Sequence, residues 1–225
     1  GSSTTDTFSH LLSSTVAGTT RITKYYWVRY KVVKSNNTVL YSAYEPIGTT
    51  SGIEGSASYS KVLEECELFV FDGKEQVTYL KGVDANYTKI NDVSKNLFNG
   101  KWLRYNTAEV IVGYGISQKL SLGLFDFNND FEVYVPRKGK AIIESEAEAF
   151  NKAKLIPIGI YAISEDLDSK YVFCDLTLAQ YLLELKSNQI SGLEIKLKPG
   201  AEEAVVIEKL NTFFQNKVDI KNRAQ

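Results

Sequence analysis

The run from Lys170 to Leu210, KYVFCDLTLAQYLLELKSNQISGLEIKLKPGAEEAVVIEKL, limits the possible folds more than any other stretch of this chain. It reads as strand, helix, strand and helix without a break. Asp175 stands where a carboxylate can accept the unpartnered N–H groups that open a helix. Leu178, Leu182 and Leu185, with Ala179 and Leu183, then recur at helical spacing and predict one apolar face, and Asn188 lies just past its end. Leu193, Ile195 and Leu197 alternate with Glu194, Lys196 and Lys198, which predicts a strand with one face buried and the charged face exposed. Pro199-Gly200 ends that strand. The last helix sets Glu202 and Glu203 at its positive N-terminal end. Val206, Ile207, Leu210, Phe213 and Phe214 follow at the spacing of a helix lying on a sheet.

The rest of the chain is mostly strands and turns. Residues 1–20 are rich in Ser, Thr and Gly and read as a frayed opening. Alternation over Arg21–Val33 predicts a long half-buried strand, Ser35-Asn36-Asn37 a turn, and Thr38–Glu45 the returning arm. Asp72-Gly73 signals a second hairpin. On its first arm Leu68 and Val70 share a face with Cys66; on its second Gln76, Thr78 and Leu80 line one side. Val93–Gly100 suggests a short helix stopped by Gly100. Glu109–Val112 reads as a strand running through glycines into a helix at Ile116–Leu120, and Phe131–Pro136 as an alternating strand ended by proline. Arg137–Asn151 is a polar excursion. Leu155–Ile163 is an apolar strand in which Pro157 demands an edge or a bulge. The last nine residues close the chain as an extended piece. Strands joined by hairpins, with a few helices between them, make the fold class α+β.

Few chemistries suit these residues. Of 225 residues, 26 are basic and 27 acidic, leaving a net charge of -1 and no concentrated basic face for nucleic acid. No window approaches the ~18 consecutive apolar residues of a membrane span. The opening Gly-Ser-Ser-Thr-Thr and the lack of any Met are expected of a segment excised from something longer. Cys66 and Cys174 lie in strand-like runs. Two thiols and one distant histidine cannot supply four metal ligands at usual spacing, so the cysteines are either small buried hydrophobes or a single disulfide. The only histidine, His10, lies in the frayed opening, which removes the commonest general base.

Gly113-Tyr114-Gly115 sits between a strand and a helix, as a phosphate loop would. However, Gln118 holds the third glycine's place and no GK[ST] follows, so a tight strand-to-helix turn is the better reading. The three carboxylates of ESEAEAF read as solvated surface. Asp166 and Asp168 lack the glycine and terminal Glu of a calcium loop and suit a capped turn. Fourteen tyrosines and two tryptophans fall largely on alternating strand positions, where aromatic pairs stabilise sheets. No catalytic constellation, cofactor site or metal site is expected.

From about Ile53 onward an ordered set of motifs resembles a known family. They are SYSKVLEE (58–65), YLKGVDANY (79–87), VIVGYGISQKLSL (110–122), FEVYVPRKG (131–139) and AFNKAKLIPIGIYAISEDLDSKYVF (149–173), followed by LAQYLLEL (178–185), SGLEIKLKPG (191–200) and KNRAQ (221–225). Their order and spacing over about three quarters of the chain are similar to the extracytoplasmic core domain of the FtsX-like ABC-transporter permeases, the LolC/LolE and MacB group, in a Bacteroidetes-like variant. The resemblance implies two lobes. A porter-like, membrane-proximal α/β lobe would be formed by both chain ends (1–84 and 191–225), and a mostly β, sabre-like lobe (85–190) would be inserted between them.

It also implies a non-enzymatic domain on the periplasmic side of the inner membrane, in a permease driven by a cytoplasmic ATPase subunit or domain. Its further partners would be a second permease copy or paralogue and a periplasmic carrier or adaptor protein, and its cargo a lipoprotein, toxin or drug. Gly82, Asp84, Gly113, Gly115 and Asp168 match family motifs as turn and cap positions.

A stand-alone secreted or surface module binding glycan or peptide through its tyrosines is the alternative, and a hydrolase with two converging carboxylates the third reading. Within the leading one, Ser187–Ser191 is the expected crossing between lobes, and Gly192 and its neighbours join two rigid bodies. Tyr181 and Ile195 are then expected not to share one undivided core.

Overall fold

The structure is a computed structural model and describes residues 25–33, 39–41, 56–124, 126, 128–137, 149–214 and 218–221. His10 and the carboxylates of ESEAEAF lie outside the described residues.

The strands are β1 (Tyr25–Val33), β2 (Val39–Tyr41), β3 (Ser56–Phe71), β4 (Lys74–Val83), β5 (Leu97–Gly100), β6 (Glu109–Gly113), β7 (Phe131–Pro136), β8 (Phe150–Tyr161), β9 (Tyr171–Asp175), β10 (Gly192–Leu197) and β11 (Val218–Lys221). The helices are α1 (Tyr87–Ile90), α2 (Tyr114–Leu120), α3 (Glu165–Asp168), α4 (Leu176–Leu182) and α5 (Glu203–Phe213). All eleven strands join in one sheet, ordered β11-β1-β10-β3-β4-β9-β6-β8-β5, with β2 on β1. β7 pairs with both β3 and β8, so β3, β4, β9, β6, β8 and β7 form a closed circuit of hydrogen-bonded neighbours. The β4–β9 and β6–β8 pairs are parallel and the rest antiparallel, a mixed α+β arrangement.

Local chemistry explains the well-punctuated elements. β3 and β4 meet through a two-residue turn in which Asp72 (φ 48°) and Gly73 (φ 71°) are both left-handed, the conformation that matches strand twist in a tight hairpin. On β7, Phe131, Val133 and Val135 point inward while Glu132 and Tyr134 are only half-buried. Pro157 lies inside the sheet. β7 reaches β8 only as far as Leu155, and β5 takes over from Gly159, so the residue without an N–H falls between two neighbours. The register with β6 shifts at the same place.

Three local expectations need correction. On β3 Cys66, Leu68 and Val70 do share a face, but Cys66 is neither buried nor in a disulfide. That face is the outer one, with Cys66 exposed and Leu68 and Val70 half-buried, and the buried face is Leu63, Glu67, Phe69 and Phe71. Phe69 and Phe71 fix the face by packing on Phe131, with ring centres 5.7 and 6.3 Å away. Val93–Gly100 is not one helix: a single 3₁₀ turn over Val93–Lys95 leads into β5, whose backbone runs against β8. Asp175 occupies the N-cap position of α4, but its carboxylate accepts from the Asn106 N–H at 2.9 Å and from the Thr177 hydroxyl, not from the helix N–H groups.

The sheet buries both faces. On one, α2, α4 and α5 cover an aliphatic cluster that includes Leu63, Leu80, Val112, Leu120, Val172, Ile195 and Leu210. On the other, α1 and α3 cover a smaller cluster dominated by Tyr87, Tyr161, Tyr171 and Phe173. Strands of the two chain ends stand together as β11-β1-β10-β3-β4, and 85–190 supplies β5 to β9. The aliphatic cluster draws on both sets: Ile195 is fully buried among residues that include Val110 and Phe131, while Tyr181, 78% exposed on α4, belongs to no core.

Candidate functional site

The five family-motif positions sit at tight junctions. A Cβ on Gly82, in β4, would lie 2.5 Å from the Ala179 Cβ and 3.2 Å from the Leu176 Cα, so α4 rests directly on that strand. A Cβ on Gly113 would come within 2.1 Å of the Asp168 carbonyl oxygen, and one on Gly115 within 2.3 Å of the Ser169 Oγ. These two glycines and Asp168 therefore form a single contact, the end of α3 seated against the β6–α2 turn. The Asp168 carboxylate accepts from the backbone N–H groups of Ile163 (2.8 Å) and Ser164 (3.4 Å). Burial pushes its pKa up, against the downward pull of those bonds. Asp84, just after β4, accepts from the Ser60 hydroxyl at 2.6 Å and from the N–H groups of Lys61 and Asn86, each at 3.0 Å.

Between these junctions lies a group that period-two reading places in solvent. Lys81 and Glu194 are each 1% exposed. The Lys81 Nζ stands 2.8 Å from a Glu64 oxygen and 2.8 Å from a Glu194 oxygen, bridging β3, β4 and β10. Glu64 and Lys81 are direct cross-strand partners. The Asn91 amide, just past α1, donates to the other Glu194 oxygen. Around the ammonium lie the rings of Tyr171 (4.9 Å to the ring centre), Tyr87 (5.5 Å) and Phe173 (5.9 Å). Burial alone would lower the Lys81 pKa, but Glu194 and Glu64 outweigh it and keep the amine protonated. Burial pushes Glu194 up, partly offset by Lys81 and Asn91. Burial also holds the Tyr87, Tyr161 and Tyr171 phenols well above their usual range.

The two carboxylates thus converge on a lysine inside the core, where they hold three strands in register instead of facing a substrate. Alternation within β10 could not find this, because the lid over Glu194 comes from Tyr87 and Asn91, about a hundred residues earlier. The usable signal was on β4, where Lys81 sits between Leu80 and Gly82 with Tyr79 and Val83 on its own face.

Both cysteines are free. Cys174 is buried, which raises its thiol pKa, and Cys66 is exposed. Among the described residues no group of three metal-ligating side chains comes together, and no helix is long and apolar enough to cross a membrane.

No protein-family model matches this sequence, and no curated protein matches it. Solved structures do match the fold. The periplasmic region of MacB from Actinobacillus actinomycetemcomitans aligns over 89% of this chain and 89% of that one, with a TM-score of 0.59 and 12% identity. The extracellular domain of the noncanonic ABC-type transporter YknZ from Gram-positive bacteria aligns over 88% of this chain and 99% of its own, with a TM-score of 0.58 and 8% identity. The fold is that of extracytoplasmic domains of the MacB and YknZ kind. At these identities the likeness is one of backbone architecture.

Proposed function

We propose that this chain is the extracytoplasmic domain of an ABC-transporter permease of the lipoprotein-releasing or MacB type. It works without catalysis, relaying ATP-driven motion to a cargo or a periplasmic partner. The observation that carries this reading is the end-to-end match of the fold to two such domains, covering nearly all of this chain and of theirs. The inner membrane is its proposed location, with this domain on the periplasmic side. Its proposed partners are a cytoplasmic ATPase, a second permease copy or paralogue, and a periplasmic carrier or adaptor. The tyrosines give the glycan-binding alternative little support, since Tyr87, Tyr161 and Tyr171 face the core.

The two-lobe division is part of the proposal, with 1–84 and 191–225 nearest the membrane and 85–190 beyond. The side-by-side placement of β11, β1, β10 and β3 supports it. The aliphatic cluster draws on both lobes, so in this proposal they share a core. Gly82, Asp84, Gly113, Gly115 and Asp168 serve this reading as rigidifying contacts.

Cys66, exposed and free, offers the test. In cells expressing the parent protein, a membrane-impermeant maleimide should label Cys66 once the outer membrane is permeabilised, and the protein should co-purify with an ATPase. Labelling only after cell lysis would overturn the proposed location, and purification without an ATPase the proposed assembly.

A further inference from the structure

The buried charge cluster has one more member. Lys170 lies in the turn between α3 and β9, and its carbonyl accepts from the Tyr79 N–H at 3.0 Å and the Thr78 hydroxyl at 2.5 Å. Its Nζ stands 5.2 Å from the ring centres of both Tyr79 and Tyr171. The same Tyr171 ring lies 4.9 Å from the Lys81 Nζ, and its hydroxyl donates to a Glu64 oxygen at 3.5 Å, so Glu64 acts on Lys170 as an opposite charge and Lys81 as a like one. Lys170, Glu64, Lys81 and Glu194 therefore alternate in sign from the turn before β9, across β3 and β4, and into β10, where Asn91 closes the inner end. The other side chains packed against them are Tyr79 of β4, Tyr87 of α1, Tyr161 of β8, and Tyr171 and Phe173 of β9. Burial keeps Tyr87, Tyr161 and Tyr171 neutral well above the usual phenol range.

We propose that these four side chains act as one alternating chain of charge, so that a change of charge at Lys170 is felt at β10 and at the loop after α1. With Lys170 protonated the chain balances, two cations against two carboxylates. When that proton leaves, Lys81 is the one cation of the four left to balance both carboxylates, beside the neutral bonds that Glu194 accepts from Asn91 and Glu64 from Tyr171. The inner pair is closed to water and counterions, so the imbalance is not screened and must be absorbed by the geometry around Glu194. Burial, reinforced by Lys81 and opposed by Glu64, lowers the Lys170 amine to about 8, while Lys81 stays charged. The outer member is thus the one that switches in mildly alkaline solution. This coupling stands apart from the transport reading and survives its failure.

The test is an NMR titration of the 225-residue chain that follows the Lys170 side chain, the Asn91 side-chain amide and the Glu194 backbone amide. All three should move together with one midpoint near the pKa of about 8 given by Lys170. In Lys170→Met, a change at a half-buried position, the midpoint should vanish from Asn91 and Glu194. In Glu64→Gln, Lys170 should titrate at lower pH and Asn91 should no longer follow it. Asn91 and Glu194 signals that stay flat in the unmodified chain, or keep their midpoint in Lys170→Met, would overturn the proposal.

Discussion

The same strands build two unlike faces. β4 sends Leu80 into the aliphatic cluster and Lys81, the next residue, into the aromatic one. β9 does likewise with Val172 and Cys174 against Tyr171 and Phe173. Three helices cover the aliphatic face through Leu120, Leu182 and Leu210; two single-turn helices cover the other. The first face is specified by volume, which many side chains can fill. The second is specified by partners. A buried ion pair adds little to stability against an apolar replacement, but losing one member strands the others in the core.

The adjacent pair Leu80 and Lys81 separates these rules, since both are 1% exposed. Lys81→Met leaves Glu64 and Glu194 without their cation and should cost about 3–5 kcal/mol in urea unfolding. The triple change Glu64→Leu, Lys81→Met, Glu194→Leu should recover most of that loss; a triple variant as weak as the single one would break the comparison. On the aliphatic side Leu80→Ala should cost about 2–5 kcal/mol. Leu80→Met, the same new side chain one residue away, should cost less than about 1.5 kcal/mol. Gly113→Ala tests the junction between the β6–α2 turn and α3. Its Cβ has only 2.1 Å to the Asp168 carbonyl oxygen, and overpacking there should cost about 1–3 kcal/mol, read as a lower thermal midpoint.

The smallest effect concerns Glu109, at the rim of the aromatic face. Its side-chain bonds to Arg104 hold its carboxyl below the ordinary glutamate pKa of 4.5. The folded chain then binds fewer protons than the unfolded one just below pH 4.5, so this contribution is present above that pH and fades as pH falls through the folded value. Glu109→Gln should flatten that part of an acid-denaturation curve by slightly lowering stability at neutral pH, with the two curves converging in acid.

What the sequence shows and hides follows the same split. The Asp72-Gly73 turn, the alternation of β7 and the helical face of Ala179, Leu182 and Leu183 are legible because cause and effect lie within a few residues of each other. The face of β3 was not. Cys66, Leu68 and Val70 make a better apolar stripe than Glu65, Glu67 and Phe69, and only Phe131 on a distant strand settles the orientation. Gly100, at φ 82°, carries the same left-handed backbone whether it ends a helix or a strand, so its identity could not decide between them. Glu194 failed for want of long-range information, since nothing in GLEIKL announces that Tyr87 and Asn91 will cover it. The family-motif positions could be found as motifs, but their pairing could not: the seating of Gly113 and Gly115 against Asp168 and Ser169 exists only in three dimensions.

The closed circuit of β3, β4, β9, β6, β8 and β7 has a mechanical consequence. A strand within a ring has a neighbour on each side, so no single strand can be unzipped without loading the others, and the ring should respond to force as a stiff hoop. The group β10, β1 and β11 is fastened differently, hanging from the ring by the Ser56–Val62 half of β3. Tension on either chain end would reach that seam first. Compliance would then concentrate along one short ladder, on the line where the Lys81 ion cluster ties β10 to the hoop.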